Sequence, residues 1–319
     1  MEEKNNSSYH MTSIGGQAVL EGVMMRGPKE IATAVRKSNG EIVIDKQPVN
    51  SFVVNHHLDK VPIVRGVISF FESLIVGVKC LMFSADQYDL DDGETYEQSK
   101  FEKWLDDKFG DKIKDIAIYF SVVVALAFSV VLFMLLPHFL SSLAGKFTDN
   151  TLVLNTLEGV IKLVIFMTYI ILISRMKDIQ RVFEYHGAEH KSIACYESGA
   201  ELTPANAAKC SRLHPRCGTS FLLIVMIVSI LIYACLPWKN TPFGLRIVYR
   251  LLLLPVVAGV SYEILKFAGR SKNKCVRILT MPGLLLQKFT TREPDESQLE
   301  VAIASLKAVL TGNKEDDKW

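Results

Sequence analysis

The run Ile116-Ala117-Ile118-Tyr119-Phe120-Ser121-Val122-Val123-Val124-Ala125-Leu126-Ala127-Phe128-Ser129-Val130-Val131-Leu132-Phe133-Met134-Leu135-Leu136 contains no charged residue. A helix needs about 20 consecutive apolar residues to cross the hydrocarbon core of a bilayer, and this stretch meets that length. Three further runs, 157–175, 219–237 and 245–268, are similar in character. Together they predict a membrane α-helical fold with about four transmembrane helices. Composition agrees. Of the 319 residues 49% are hydrophobic, the mean hydropathy is +0.23, and the apolar residues gather in blocks. The net charge is only +2, from 36 basic and 34 acidic residues. No overall basic field points to nucleic acid. The first twenty residues are polar and include Glu2 and Glu3, which argues against a secretory signal.

The connections between the runs give an orientation. The loop from 176 to 218 carries Lys177, Arg181, Lys191, Lys209, Arg212 and Arg216, whereas 137–156 has Lys146 as its one basic residue and 238–244 has Lys239. Basic loops stay on the cytoplasmic side, so both termini and the 176–218 loop are expected in the cytoplasm. Five of the six cysteines (Cys80, Cys195, Cys210, Cys217 and Cys275, but not Cys235) then lie on or near the reducing side. Free thiols or metal thiolates are the expected state.

Around the membrane region, 116–268, three further segments are legible. Residues 1–60 read as a polar tail (1–13) followed by a small β-rich cytoplasmic cap. In the cap, Gly15-Gly16-Gln17-Ala18-Val19-Leu20-Glu21-Gly22-Val23-Met24-Met25-Arg26-Gly27-Pro28 is rich in glycine, which marks positive φ or close backbone approach; Glu21 and Arg26 are its candidate functional side chains. The pattern predicts strands at 30–36 and 41–47 joined through Asn39-Gly40, a strong hairpin signal. Residues 61–115 combine an apolar stretch, 61–84, with an acidic linker and an amphipathic stretch. Arg65, Glu72 and Lys79 recur every seven residues along 61–84, which puts one charged stripe on an apolar helix and predicts an interfacial helix. Residues 86–97 hold six carboxylates and read as a solvated linker. Residues 269–319 form a cytoplasmic C-terminal segment. There Met281-Pro282-Gly283 reads as an interfacial turn, Arg270–Lys274 as a basic segment suited to anionic headgroups, and Asp295 with Gln298 as a capping box opening an amphipathic helix.

The chemistry concentrates in Glu184-Tyr185-His186-Gly187-Ala188-Glu189-His190-Lys191. On a helix, His186 and His190 leave one face about one turn apart and can share one metal ion. Imidazole nitrogen suits zinc, although another divalent transition metal remains open. Glu189 is a carboxylate placed to take a proton from an activated water. His-x-x-Glu-His is the inverted form of a zinc-hydrolase helix motif. Two histidines do not complete a site. Cys210-Ser211-Arg212-Leu213-His214-Pro215-Arg216-Cys217-Gly218 offers His214 and Cys217 in one turn, with the Cys210 thiol as a further donor. Glu197 shares the helical stripe but lies about 10.5 Å beyond His190 at 1.5 Å per residue, which suits an outer role. Glu263, within the last predicted span, is another candidate, because an ionisable group at that depth is a functional hypothesis. A third ligand from His214, Cys217 or Glu263 would leave an open, hydrolytic site with Glu189 as base. His186, His190, His214 and Cys217 together would close the shell as a structural staple. Spacing does not choose between the two.

These motifs, with Met281-Pro282-Gly283 and Thr290-Thr291-Arg292-Glu293-Pro294, resemble the YqhQ family (DUF1385), and the likeness extends over nearly the whole chain. The resemblance implies a bacterial multi-pass protein of the cytoplasmic membrane and, through the family's label as predicted metal-dependent enzymes, a metal. On this chain it falls on His186, Glu189, His190, His214 and Cys217, with Glu21 and Arg26 in no assigned role. Two functions are expected to compete. One is a metal-dependent, peptidase-like hydrolase at the cytoplasmic face. The other is a non-catalytic, metal-stabilised scaffold or biogenesis factor that binds other membrane proteins. Membrane lipids are the expected surroundings in either case. A transporter fits less well, because the spans hold few polar groups and no repeat.

Overall fold

The computed structural model describes residues 10–87, 112–237, 241–270 and 274–318. The start of the N-terminal tail, the acidic linker from residue 88, residues 98–111 of the amphipathic stretch and 271–273 of the basic segment lie outside these described residues. The chain forms two compact units: 1–89 with 169–229 and 251–319, and 90–168 with 230–250.

The first unit is built on a four-stranded antiparallel sheet in the order β1-β2-β3-β4: Gly15–Val19, Gly22–Arg26, Glu30–Arg36 and Ile42–Pro48. The predicted hairpin is β3–β4, and Gly40 supplies its positive φ of 86°. The glycine-rich stretch is itself a hairpin, β1–β2, with Leu20-Glu21 as its turn and Glu21 at φ 47°. Alternating side chains give the sheet two faces. Val23, Met25, Ala32 and Ala34 are buried with Tyr185, Ala188, Leu299, Ala302 and Leu306. Val19, Met24, Ile31 and Val35 are buried on the other face with Cys80. The elements supplying these partners are α2 (Val64–Gln87), α6 (Lys177–Glu197) and α11 (Glu296–Val309). The expected capping box opens α11, with Asp295 accepting from the Gln298 N–H and the Gln298 side chain accepting from the Asp295 N–H.

Helix α2 is held within this unit at both ends. At its start Arg65 Nε donates to Glu263 at 2.8 Å, and Gly66 abuts Tyr262. Near its end the Leu20 N–H donates to Ser84 Oγ at 3.3 Å. Two of the charges on its predicted stripe are thus used internally, since Glu72 also pairs with Arg26 at 3.4 Å. Phe71, Leu74, Ile75 and Val78 are left exposed.

The other α-helices of the described residues near these are the short α1 (Phe52–Asn55) and α7 (Pro204–Ala208), and the longer α8 (Gly218–Ala234), α9 (Phe243–Arg270) and α10 (Lys274–Thr290). The sequence reads Met281-Pro282-Gly283 as a turn, but α10 runs through it. Gly283 packs directly on Ser220, so the missing side chain serves helix contact rather than a bend.

The second unit contains α3 (Lys112–Val130), a wide π turn (Val131–Leu135), α4 (Leu136–Ala144) and most of α5 (Thr151–Ile173). Pro137 explains the wide turn, because its ring cannot donate and would strike the carbonyl four residues back. His138, Asn155, Glu158 and Arg250 are buried here. His138 Nδ1 lies 2.7 Å from Glu158, which also pairs with Arg250.

Among the described residues four helices are, by length and composition, long and apolar enough to cross a membrane: Val64–Gln87, Phe120–Ala144, Thr151–Ile173 and Gly244–Gly269. Three of them overlap predicted spans. Over the expected third crossing, α8 has 17 residues, about 26 Å at 1.5 Å per residue. By contrast α2, read from the sequence as interfacial, has sufficient length.

Candidate metal centre

Helix α6 carries more polar than apolar residues, yet Tyr185, Gly187–Ile193, Cys195 and Glu197 are all buried. A buried polar helix has to satisfy each polar group internally, and most of the partners are identifiable. Lys191 Nζ donates to the carbonyls of Ala208 at 2.8 Å and Cys210 at 3.0 Å and pairs with Glu293. Glu197 accepts the Thr12 N–H at 2.9 Å and pairs with Arg216.

The two histidines are oriented by backbone carbonyls. His186 Nδ1 lies 2.8 Å from the Thr290 carbonyl, and His190 Nδ1 lies 2.6 Å from the Arg212 carbonyl. Each ring therefore donates from Nδ1 to a carbonyl and turns Nε2 inward, the orientation in which an imidazole can ligate. His186 Nε2 is 3.1 Å from Cys217 Sγ. Ligand atoms of His186, His190 and Cys217 all lie within 4.8 Å of one another. His190 Nε2 is buried and has no hydrogen-bond partner among the described residues. A buried imidazole nitrogen without a hydrogen-bond partner fits a metal ligand, and two imidazoles with a thiolate suit zinc.

Electrostatics favour the thiolate. Burial disfavours it, but the neighbouring His186 and His190 rings hold the Cys217 thiol well below its usual range. Burial likewise disfavours a charged His186; Cys217, Glu189 and the Thr290 carbonyl overcome this and push it up to about 9. Cys217 also directly precedes α8, where the Thr219 N–H donates to its Sγ at 3.4 Å.

Glu189 Oε2 lies 3.9 Å from His186 Nε2 and the residue is buried. His214 does not join the cluster. Its Nε2 is turned to Glu197 at 3.5 Å and Arg216 at 3.2 Å, while its backbone is held at both N–H and C=O by Gln287. Glu197 consequently supports the turn that delivers Cys217. Cys210 Sγ faces the Asn206 carbonyl at 3.6 Å, and Glu263 is taken by Arg65. Glu21 pairs with Arg181 and accepts from Tyr185 Oη at 3.2 Å. That arrangement ties the β1–β2 turn to α6. Thr290, Arg212 and Gln287 are contributions that sequence reading missed. Two of them act through backbone carbonyls, which carry no side-chain signal.

Glu189, His186 and Cys217 face a cavity of about 680 Å³, bounded by residues 13–18 of β1 and its approach, by Phe70, Ser73 and Leu74 of α2, and by Phe221 and Leu222 of α8. Its size falls in the range of small-ligand sites. Gly187 allows the segment that carries Thr290 to close over α6, because any side chain there would strike the Arg292 carbonyl.

A family described as "protein of unknown function (DUF1385)" matches residues 61–312. The chain is 38% identical, over 301 residues, to a protein of Bacillus subtilis (strain 168) described as "uncharacterized protein YqhQ", covering 93% of this chain and 92% of that one. No solved structure matches. Neither description attaches an activity or a metal to these residues.

Proposed function

The chain belongs to the DUF1385 family, and on that premise we propose that it is a membrane-embedded metal-dependent hydrolase working at the cytoplasmic face. The observation that carries this reading is the convergence of His186, His190 and Cys217 around an unpartnered, buried Nε2, with Glu189 beside it in a cavity. Three protein ligands with an open position is the pattern of catalytic rather than structural zinc. His186 Nε2, His190 Nε2 and Cys217 Sγ would hold the ion. When bound, a zinc or other divalent transition metal supplies Lewis acidity toward a carbonyl and a water.

The chain's own groups account for the rest. Glu189 accepts one proton from the attacking water and returns it to the leaving nitrogen or oxygen, so the carbonyl carbon gains the hydroxyl and the leaving group departs neutral. The Thr290 and Arg212 carbonyls fix both imidazoles in the ligating tautomer. Phe70, Leu74 and Phe221 make the cavity wall apolar, which strengthens charge interactions inside it.

For placement, we read the cytoplasmic membrane as the site of the protein, with the sheet and α6 on the basic, cytoplasmic side. Because α2 returns at both ends to the unit holding the sheet, it lies in the plane of the membrane with Phe71, Leu74, Ile75 and Val78 toward lipid. One observation favours a scaffold instead: the cluster joins α6, the turn before α8 and the end of α10, as a staple would.

Metal content per chain decides between them, measured on detergent-purified wild type, Glu189→Gln and His186→Ala with helicity checked by circular dichroism. Near-stoichiometric zinc in the first two, lost from a still-folded His186→Ala, is expected for the hydrolase. Collapse of the fold on metal loss would support the staple. Absence of metal in wild type would remove both.

A further inference from the structure

Strand β1 is at the edge of the sheet, and among the described residues no strand pairs with its outer side. Natural edges are normally short, charged, bulged or covered. Here Gly15-Gly16-Gln17-Ala18-Val19 has no charge, and Gly15 and Gly16 are exposed although they lie beside buried elements. Residues 13–18 form one continuous wall of the cavity that also contains His186, Glu189 and Cys217. The edge therefore opens into the groove between α2 and α6.

The hairpin register says which groups face the groove. Val19 and Gly22 flank a two-residue turn and make the closing hydrogen-bonded pair, so Gln17 and Gly15 also bond to β2 by the alternation of antiparallel strands. The N–H and C=O of Gly16 and Ala18 are then directed outward. Gly16 is also the residue in contact with Glu189: a β-carbon there would stand 2.9 Å from Glu189 Cγ. An unpaired backbone ladder thus runs directly past the proposed base.

We propose, resting on the hydrolase reading, that the substrate is an extended polypeptide segment that adds to β1 as a fifth strand. A backbone edge recognises another backbone and leaves side-chain choice to flanking pockets. Those pockets are apolar: Phe70 and Leu74 on one side, Phe221 and Leu222 on the other. The fit is to an apolar stretch of a membrane protein, unwound and drawn to the cytoplasmic surface. A β1 of five residues matches a strand of roughly 17 Å at about 3.4 Å per residue. The guest residue opposite Gly16 would sit beside Glu189.

The test uses full-length Glu189→Gln protein in detergent, so that binding is read without turnover. The probe is a fluorescein-labelled ten-residue peptide of alternating leucine and threonine with a lysine at each end. Its partner probe is N-methylated at every residue, with the same side chains and no backbone donor. Fluorescence anisotropy is expected to show saturable binding of the first and at least tenfold weaker binding of the second. Ala18→Pro, which removes an outward N–H and leaves the bonds to β2 in place, is expected to weaken the first probe to a similar degree. If that variant misfolds, the two-probe comparison on the parent protein still decides. Equal binding of the two probes, or binding of neither, would overturn strand addition. Zinc content of the same samples reads the underlying hydrolase proposal separately, so either can fail alone.

Discussion

Gly16 of β1 and Glu189 of α6 are in direct contact, with the β-carbon position of residue 16 lying 2.9 Å from Glu189 Cγ and against the Met24 carbonyl. The sheet therefore positions the proposed base by lacking a side chain at that point. Gly16→Ala should destabilise the protein by about 1–3 kcal/mol, as overpacking does. Gly15→Ala, where the new methyl meets nothing within 4 Å, should stay within about 0.5 kcal/mol. Thermal unfolding in detergent compares the two, and equal effects would contradict the contact.

Cys217 and His214 share one turn but face different partners. Cys217→Ser should strip most of the metal from purified protein. His214→Ala should retain it, because His214 is engaged with Glu197 and Arg216. Metal analysis of folded samples reads the difference, and metal loss in both variants would place His214 among the ligands.

If α2 lies in the membrane plane, its two flanks share one side. Lys60→Cys and Asp86→Cys should both react with a membrane-impermeant maleimide in inverted vesicles, above the wild-type background, and neither in right-side-out spheroplasts. Labelling of the two from opposite sides would make α2 a crossing helix.

The buried group of His138, Glu158 and Arg250 should respond unequally to single and paired substitution. Glu158→Ala leaves Arg250 without its carboxylate and should cost about 3–5 kcal/mol, while the apolar pair Glu158→Leu with Arg250→Met should recover at least half of that. Detergent unfolding of the two variants supplies the comparison.

Asp295 caps α11. Burial raises its pKa, but the Ser297 hydroxyl, the Gln298 N–H and the Arg181 charge outweigh this and hold it below the usual aspartate range. A depressed carboxylate stabilises above its unfolded pKa, and the benefit disappears as pH falls through the folded one. Asp295→Ala should therefore cost about 1 kcal/mol at neutral pH. The gap to wild type should close as the pH falls through the lowered, folded-state pKa. A gap that persists in acid would assign the effect to packing instead.

Much of this arrangement was legible from residues alone, because long apolar runs and a His-x-x-Glu-His helix leave strong patterns. The β1–β2 hairpin has no strand signature in the sequence. Alternation needs side chains, and Gly15, Gly16 and Gly22 have none. The third member of the cluster stayed open because His214 and Cys217 lie three apart in a Pro-Arg turn. Which one turns inward depends on Glu197 and Arg216 pulling the imidazole away, a tertiary effect. The charged stripe of α2 reads as interfacial although its length suffices for a crossing, and its contacts with Leu20 and Glu263 are visible only in three dimensions.

Ser305 of α11 donates to the Ala32 carbonyl of β3 across 273 residues. A ribosome adding roughly 5–20 residues per second reaches Ser305 some 14–55 s after Ala32. Through that interval the sheet face formed by Val23, Met25, Ala32 and Ala34 has no α11 to cover it, while the long apolar runs are being made. The Thr290 carbonyl that orients His186 is made near the end of the same interval. The His186–His190–Cys217 cluster is thus completed late in synthesis, and a nascent chain stalled between residues 217 and 290 would carry all three side chains with the Thr290 carbonyl still unmade.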